Sequence, residues 1–509
     1  MLAVSQTTQR RVFPLGALLG VLVALGTATA VFRLGPKGCL IPAGVFLLVL
    51  PLVRPRLGLA LTIVAAINLG YIGKLGASDA LVFPSLAKIF GFVTFLGWLL
   101  HTLACRKKIV FTRQMWIGAA FVTFAGLSVA YAQDRYLALA DVTKLLTNFL
   151  LYFLIANLLE TPRHLKYFAL LIILTGLVTS AVAILQYTQP QFQIAGDTFF
   201  KELGQHEGGI VAPEHLASGT FVRPTGTLGN PNWLALFLVA VIALNLYVLR
   251  SEKRPSLRIA AFIVLAAELA ALVMTHNRSG LLGLVLVLVL LVYRRIIRIS
   301  APALLVVLLL LILSPFVLPG SYRERVLSWR HQRQSASISG RWDLQVNGLG
   351  LFRNHWLLGV GQGNFGPAFM ATNSESAAEV YWLTEVAETN YQVAWMGAHN
   401  MYLEVGIETG AIGLLLLLAF LAGGIRAAHA TAVRAAEQKL SPLAELAQAL
   451  YVSLVGFCGV ALFLHAQEQK IWWILLGMSA AAANIVTRDR PEPERCGGPT
   501  ALHENEDPH

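Results

Sequence analysis

The sequence predicts an all-α polytopic membrane protein of about twelve helices, and three observations carry that expectation. Of its 509 residues, 56% are hydrophobic and 13% charged, whereas a soluble globular domain carries about 25% charge. Apolar runs of about 15 to 23 residues recur along the chain, close to the roughly 20 that cross a hydrocarbon core of about 30 Å as a helix. The Lys and Arg residues behind the net charge of +12 gather mostly in short links between those runs, as the positive-inside pattern requires. That placement argues against nucleic-acid binding.

In chain order the candidate spans are 13–33, 39–53, 55–73, 84–103, 115–132, 145–160, 165–187, 232–250, 257–275, 279–296, 301–319, 410–428, 447–465 and 469–487, about fourteen at face value. The second and third are short, are separated by Arg54 and carry Pro42, Pro51 and Pro55. A broken hairpin there fits equally well and brings the total to twelve. Basic links at Arg10 and Arg11, Arg54 and Arg56, Arg106 to Lys108, Arg163 and Lys166, Arg250 to Arg258, Arg294 to Arg298, Arg426 to Lys439, and Arg488 and Arg490 fall on one side. That side is expected to be the cytoplasm, with both termini in it. The Pro- and Glu-rich tail 488–509 reads as disordered. Cys39, Cys105, Cys458 and Cys496 are scattered, which supports neither a disulfide framework nor a zinc site.

The chain then divides into N-terminal spans (1–187), a first outer loop (188–231), central spans (232–319), a large outer segment (320–409), C-terminal spans (410–487) and the tail. Function is expected in the two long polar segments. The larger opens with Arg323, Arg325, Arg330, Arg333 and Arg341, a basic patch that suits phosphate-bearing lipid or a solvated face. Trp356 to Phe365 follows, with glycines that lack the strand-turn-helix context of a phosphate cradle. Between Glu375 and Trp395, carboxylates and aromatics suit either a sugar or the headgroup interface.

The segment ends at Gly397-Ala398-His399-Asn400, where polar chain meets an apolar run. Asn400 is placed to cap a helix beginning at Met401. His399 then stands beside the positive end of a helix dipole, where it can act as a base or simply hydrogen-bond at the interface. Arg223, Arg278 and Arg341 stand at ends of spans on the same side as His399. Each alone fits snorkelling to lipid phosphate. Converging, two or three guanidiniums would form a pyrophosphate clamp.

The outer segments contain no Asp-x-Asp pair, His-Glu-x-x-His, Walker loop or serine elbow. No cofactor or metal is therefore expected, and the free energy has to arrive in an activated substrate such as a lipid-linked sugar pyrophosphate. Cationic stabilisation of that leaving group and one base for the incoming hydroxyl suffice.

Ser339-Gly340-Arg341, Leu357 to Phe365 and His399-Asn400 through Gly413, with the Arg223 to Asn232 and Asn277 to Gly280 segments, together resemble the O-antigen ligase and polymerase superfamily of bacterial envelope enzymes. One departure is Trp356, where proline is expected before Leu-Leu-Gly. The resemblance implies a GT-C-like helical bundle in the inner membrane, with its active site on the periplasmic face. It also implies transfer of a glycan from undecaprenyl pyrophosphate to lipid A-core oligosaccharide, without metal and with inversion. Carried over, His399 activates the acceptor hydroxyl, Arg223 and Arg278 hold the pyrophosphate, and Arg341 and Asn400 are further substrate-binding candidates. O-antigen polymerase and protein O-oligosaccharyltransferase share the donor and differ in acceptor. A transporter is the alternative of another class; the scarcity of ionisable residues within spans, apart from Lys88 and Lys144, and the lack of an obvious repeat disfavour it.

Overall fold

The computed structural model describes residues 40–69, 85–189, 223–294, 336–372 and 397–487. The expected spans 13–33 and 301–319, the basic run Arg323 to Arg333, the stretch from Glu375 to Trp395 and the tail lie outside the described residues. Within them the chain is all-helical, with fourteen α-helices and one 3₁₀ turn. Eight of the helices are long and apolar enough to cross a membrane, and the chain is a multi-pass membrane protein.

The helices are α1 (Leu40–Val53), α2 (Pro55–Asn68), α3 (Leu86–Ala104), α4 (Arg113–Leu127), α5 (Arg135–Leu158), α6 (Pro162–Thr188) and α7 (Pro231–Ser251). They continue as α8 (Pro255–Met274), α9 (Arg278–Tyr293), α10 (Ala336–Asn354), α11 (Phe365–Thr372), α12 (Met401–Glu437), α13 (Ser441–Val460) and α14 (Lys470–Thr487). The expected hairpin at Arg54 is two 14-residue helices, α1 and α2, with Pro55 at the first position of the second. Proline is favoured there because its missing N–H has no helical partner to lose.

α7 lies at the centre. Leu234 to Leu244 are all buried, on every side of the helix, so its uniform apolarity matches burial by neighbours on all faces. It packs on α13, α8, α6 and α9, and α14 lies against α5, α12 and α13. α5 begins ten residues before the expected span, at the Asp134 cap, whose carboxylate accepts the N–H groups of Tyr136 and Leu137. Its charged first turns, with Asp141 and Lys144, hid that start from a search for apolar runs.

The two ends of the bundle differ. At the end with the basic links, half-exposed ions pair: Glu160 accepts from Arg56 and Lys107, and Lys166 reaches Glu252. Exposed pairs of this kind contribute about 0–1 kcal/mol each. At the other end polar side chains are buried, and there the expected site residues lie.

Candidate active site at the polar end of the bundle

Two His-Asn corners shape this end. At the first, His276 has φ 50°, a left-handed conformation that histidine tolerates better than most residues. Asn277 caps α9, its Oδ1 accepting from Gly280 N at 3.0 Å and from the Ser279 hydroxyl at 2.6 Å. Arg278 is therefore the first residue of α9. The Asn277 amide also donates to Asn232 Oδ1 at 2.6 Å, and Arg223 donates to the same oxygen at 3.1 Å. Arg223 is 5% exposed and its Nε donates to the Thr275 carbonyl at 2.8 Å. The strand of chain carrying it is docked by Gln186, whose Oε1 accepts the N–H groups of Thr225 and Gly226, both at 2.9 Å. Arg223, Asn232 and the start of α9 thus form one hydrogen-bonded unit.

The second corner repeats the device. His399 has φ 50°, and Asn400 caps α12, accepting from Tyr402 N at 3.0 Å and Leu403 N at 3.1 Å. Asn400 lies where the sequence placed it, and its side-chain oxygen serves the helix. The loop before it is tied down by buried Glu404, which accepts from Ala398 N and from Gln467 Nε2, both at 2.7 Å. Gly397 makes a close approach possible here: a Cβ on it would stand 2.8 Å from Glu404 Oε2 and 2.9 Å from His465 Nδ1. The His399 ring is half-buried, 5.5 Å between centroids from His465, which in turn meets the Trp233 ring at 6.3 Å edge-on. Trp233 adjoins Asn232 in α7. A continuous path, His399, His465, Trp233, Asn232, therefore links the histidine corner to the arginine unit.

Below this corner α12 is broken at Gly410 (φ 66°, ψ −171°). The break frees carbonyls, and the glycine segment after α10 satisfies them. Val360 N donates to the Ile407 carbonyl at 2.9 Å and Gly361 N to that of Glu408 at 2.8 Å, while Ala411 N donates to the Trp356 carbonyl at 2.7 Å. Gln362 Nε2 donates to the buried Glu408 carboxylate at 2.8 Å. The glycines are a clamp around a helix break, and Trp356, standing where proline was expected, contributes its carbonyl to that clamp.

Beside the clamp, Lys144 bonds Asp141 at 2.6 Å and Glu468 at 3.0 Å. Burial and the neighbouring Asp141 push the Glu468 carboxyl up to about 8, against the pull of the Lys144 ammonium. Among the described residues no group of three or more His, Cys, Asp or Glu could hold a metal ion.

Of the expected residues, Arg223, the Asn277-Arg278 corner, His399 and Asn400 meet at this end. Arg341 lies in the second turn of α10, its side chain outside the described residues. Sequence reasoning passed over Glu404, Trp233, Asn232, His465 and Gln467. The available signal was the short polar turn His465 to Gln469 between two apolar runs. It also passed over Glu268, fully buried within α8 and bonded to Asn245 at 3.0 Å.

An apolar groove of about 730 Å³ runs down from the corner, lined by Leu286, Phe352, Leu414, Leu418 and Val455, with Asn400 at its polar end.

No curated protein matches the chain. Residues 259–418, which include Arg278, Arg341 and His399 but not Arg223 or His465, match the family described as O-Antigen ligase (Wzy_C). This central region of the chain, with the histidine corner inside it, is similar to the O-antigen ligase family.

Proposed function

We propose that the protein is a glycosyltransferase that moves a glycan from undecaprenyl pyrophosphate to lipid A-core oligosaccharide on the periplasmic face of the bacterial inner membrane. The observation that carries this reading is the junction of the His399 corner with the Arg223, Asn232 and Asn277 unit at one end of the bundle, within reach of an apolar groove. His399 takes the proton of the acceptor hydroxyl. The acceptor oxygen then forms a bond to the anomeric carbon from the face opposite the pyrophosphate, and the carbon–oxygen bond to phosphate breaks with its electron pair on the leaving group. The anion so formed already carries charge and needs cations more than an acid. Arg223 and Arg278 supply them. The bonds from Arg223 to Thr275 and Asn232 support this role, because a preset guanidinium loses little freedom when it meets phosphate. The groove suits the polyprenyl tail, with Asn400 at the headgroup end.

The test is transfer in proteoliposomes holding only the purified protein, an undecaprenyl-pyrophosphate glycan and rough lipid A-core, with excess chelator. Wild-type product that disappears in His399→Ala supports the reading, and an unimpaired His399→Ala sinks the base assignment. Arg278→Lys at full activity argues against a bidentate contact. Chain extension with a second lipid-linked repeat, and none onto lipid A-core, makes the protein a polymerase.

A further inference from the structure

Helix α10 has two apolar faces, and only one is used inside the protein. Leu344, Gly348 and Leu351 recur at four- and three-residue spacing and pack on Phe365 of α11 and on Leu403 and Ile407 of α12. At about 100° per residue, Trp342, Val346, Leu349 and Arg353 fall on the opposite side. There Trp342 is 67% exposed, Val346 46% and Leu349 55%, and Arg353 is exposed as well. Asn347 and Asn354 lie along one flank between the two faces. An ordinary surface helix would present polar residues where this one presents tryptophan, valine and leucine.

The chain continues the pattern. Trp356, Leu357 and Leu358 follow α10 and are exposed, while the Trp356 carbonyl is held by Ala411 at the break in α12. Beyond that break α12 runs on as an apolar span with exposed Leu415 and Leu418. Leu349 lines the same groove as Leu418 and Leu286. The outer stripe of α10 is thus continuous with the exposed apolar surface of α12, a helix long and apolar enough to cross a membrane.

We propose that α10 is an interfacial helix whose outer stripe, Trp342, Val346 and Leu349, lies in the lipid leaflet at the site end of the bundle, with Arg353 reaching up to lipid phosphate. Tryptophan is favoured at that depth, and arginine can bury its stem while its head stays among headgroups. The inference rests on the membrane-spanning fold and not on the transfer reaction. Its consequence is that α10, which packs on Leu403 and Ile407 of α12 just past His399, rests on a floor of lipid, so an amphiphilic substrate travelling in that leaflet meets the site from the side.

Fluorescence quenching of the full chain in vesicles tests it, comparing wild type with Trp342→Phe to isolate one of the ten tryptophans. The Trp342 component should lose intensity in vesicles of phosphatidylcholine brominated high on the acyl chain and lose none to aqueous iodide. Leu349→Trp placed in the Trp342→Phe background should restore a lipid-quenched component. Quenching by iodide and not by lipid would put the stripe in water and overturn the proposal. Protection from both quenchers would mean that another segment of this chain or a second copy covers the stripe, which overturns it equally.

Discussion

The corners at His276-Asn277 and His399-Asn400 use one local device in two surroundings. In both, a histidine at φ 50° precedes an asparagine that caps the next helix. His276 is 6% exposed and its ring lies 6.2 Å from that of Tyr187, while Asn277 bonds across to Asn232. His399 is half-buried beside a second histidine, and its loop hangs from Glu404. The first corner is a joint between helices; the second presents an imidazole. Local conformation does not distinguish them, and the neighbours do.

The sharpest way to break that comparison is to remove each ring in turn. His399→Ala should lower transfer by about 10²- to 10⁴-fold, the usual range for loss of a general base. His276→Ala empties the place of a ring that is 6% exposed, should cost about 0.5–3 kcal/mol of stability, as single substitutions commonly do, and should leave the rate of the folded protein within a few-fold. Comparable rate losses in initial-rate assays of well-folded protein would show that the two corners share the chemistry.

Next in size is the tether. Glu404→Ala leaves Ala398 N–H and the Gln467 amide without their acceptor in a buried place, at about 1–3 kcal/mol. The loss should appear in the rate as well as in thermal stability, since the loop it releases carries His399. A variant that loses stability but keeps the full rate would show that Glu404 does not position the histidine.

The caps give a smaller and more graded contrast. Asn400→Ala should cost about 1 kcal/mol, as cap removal does. Asn277→Ala should cost more by about another 1 kcal/mol, because it also removes the bond to Asn232. Denaturant titration in detergent would compare them, and equal costs would deny that Asn232 ties the first corner to Arg223.

A separate expected effect is one of pH. The Glu468 carboxyl is raised to about 8 in the folded protein, above its ordinary value near 4.3. The folded state therefore binds the proton more tightly than the unfolded one. Its contribution to stability is fully present below about pH 4 and is lost as pH rises toward 8. Melting temperature should fall over that window, and Glu468→Gln should flatten the fall. A slope unchanged by the substitution would place the titrating group elsewhere.

Much of the fold is legible in the chain because helices in lipid must be long, apolar and internally bonded. The eight described spans, the Arg54 hairpin and the Asn400 cap follow from local pattern. Where charge lies inside a helix, pattern misleads: Arg135 to Lys144 concealed the start of α5, and Glu268 was lost within an apolar run. The glycines from Gly359 to Gly363 were visible as an irregular loop, but nothing local showed that they close around Glu408. His465 was passed over because no spacing rule connects it to His399.

By itself, then, the sequence determined that this is an all-helical membrane protein, since hydrophobic length and charge placement are properties of single segments. Tertiary structure alone decided which of two matching His-Asn corners faces His465 and Trp233 and which is sealed beneath Tyr187. That choice depends on contacts between helices distant in the chain, made by packing around α7, and no local sequence signal encodes them.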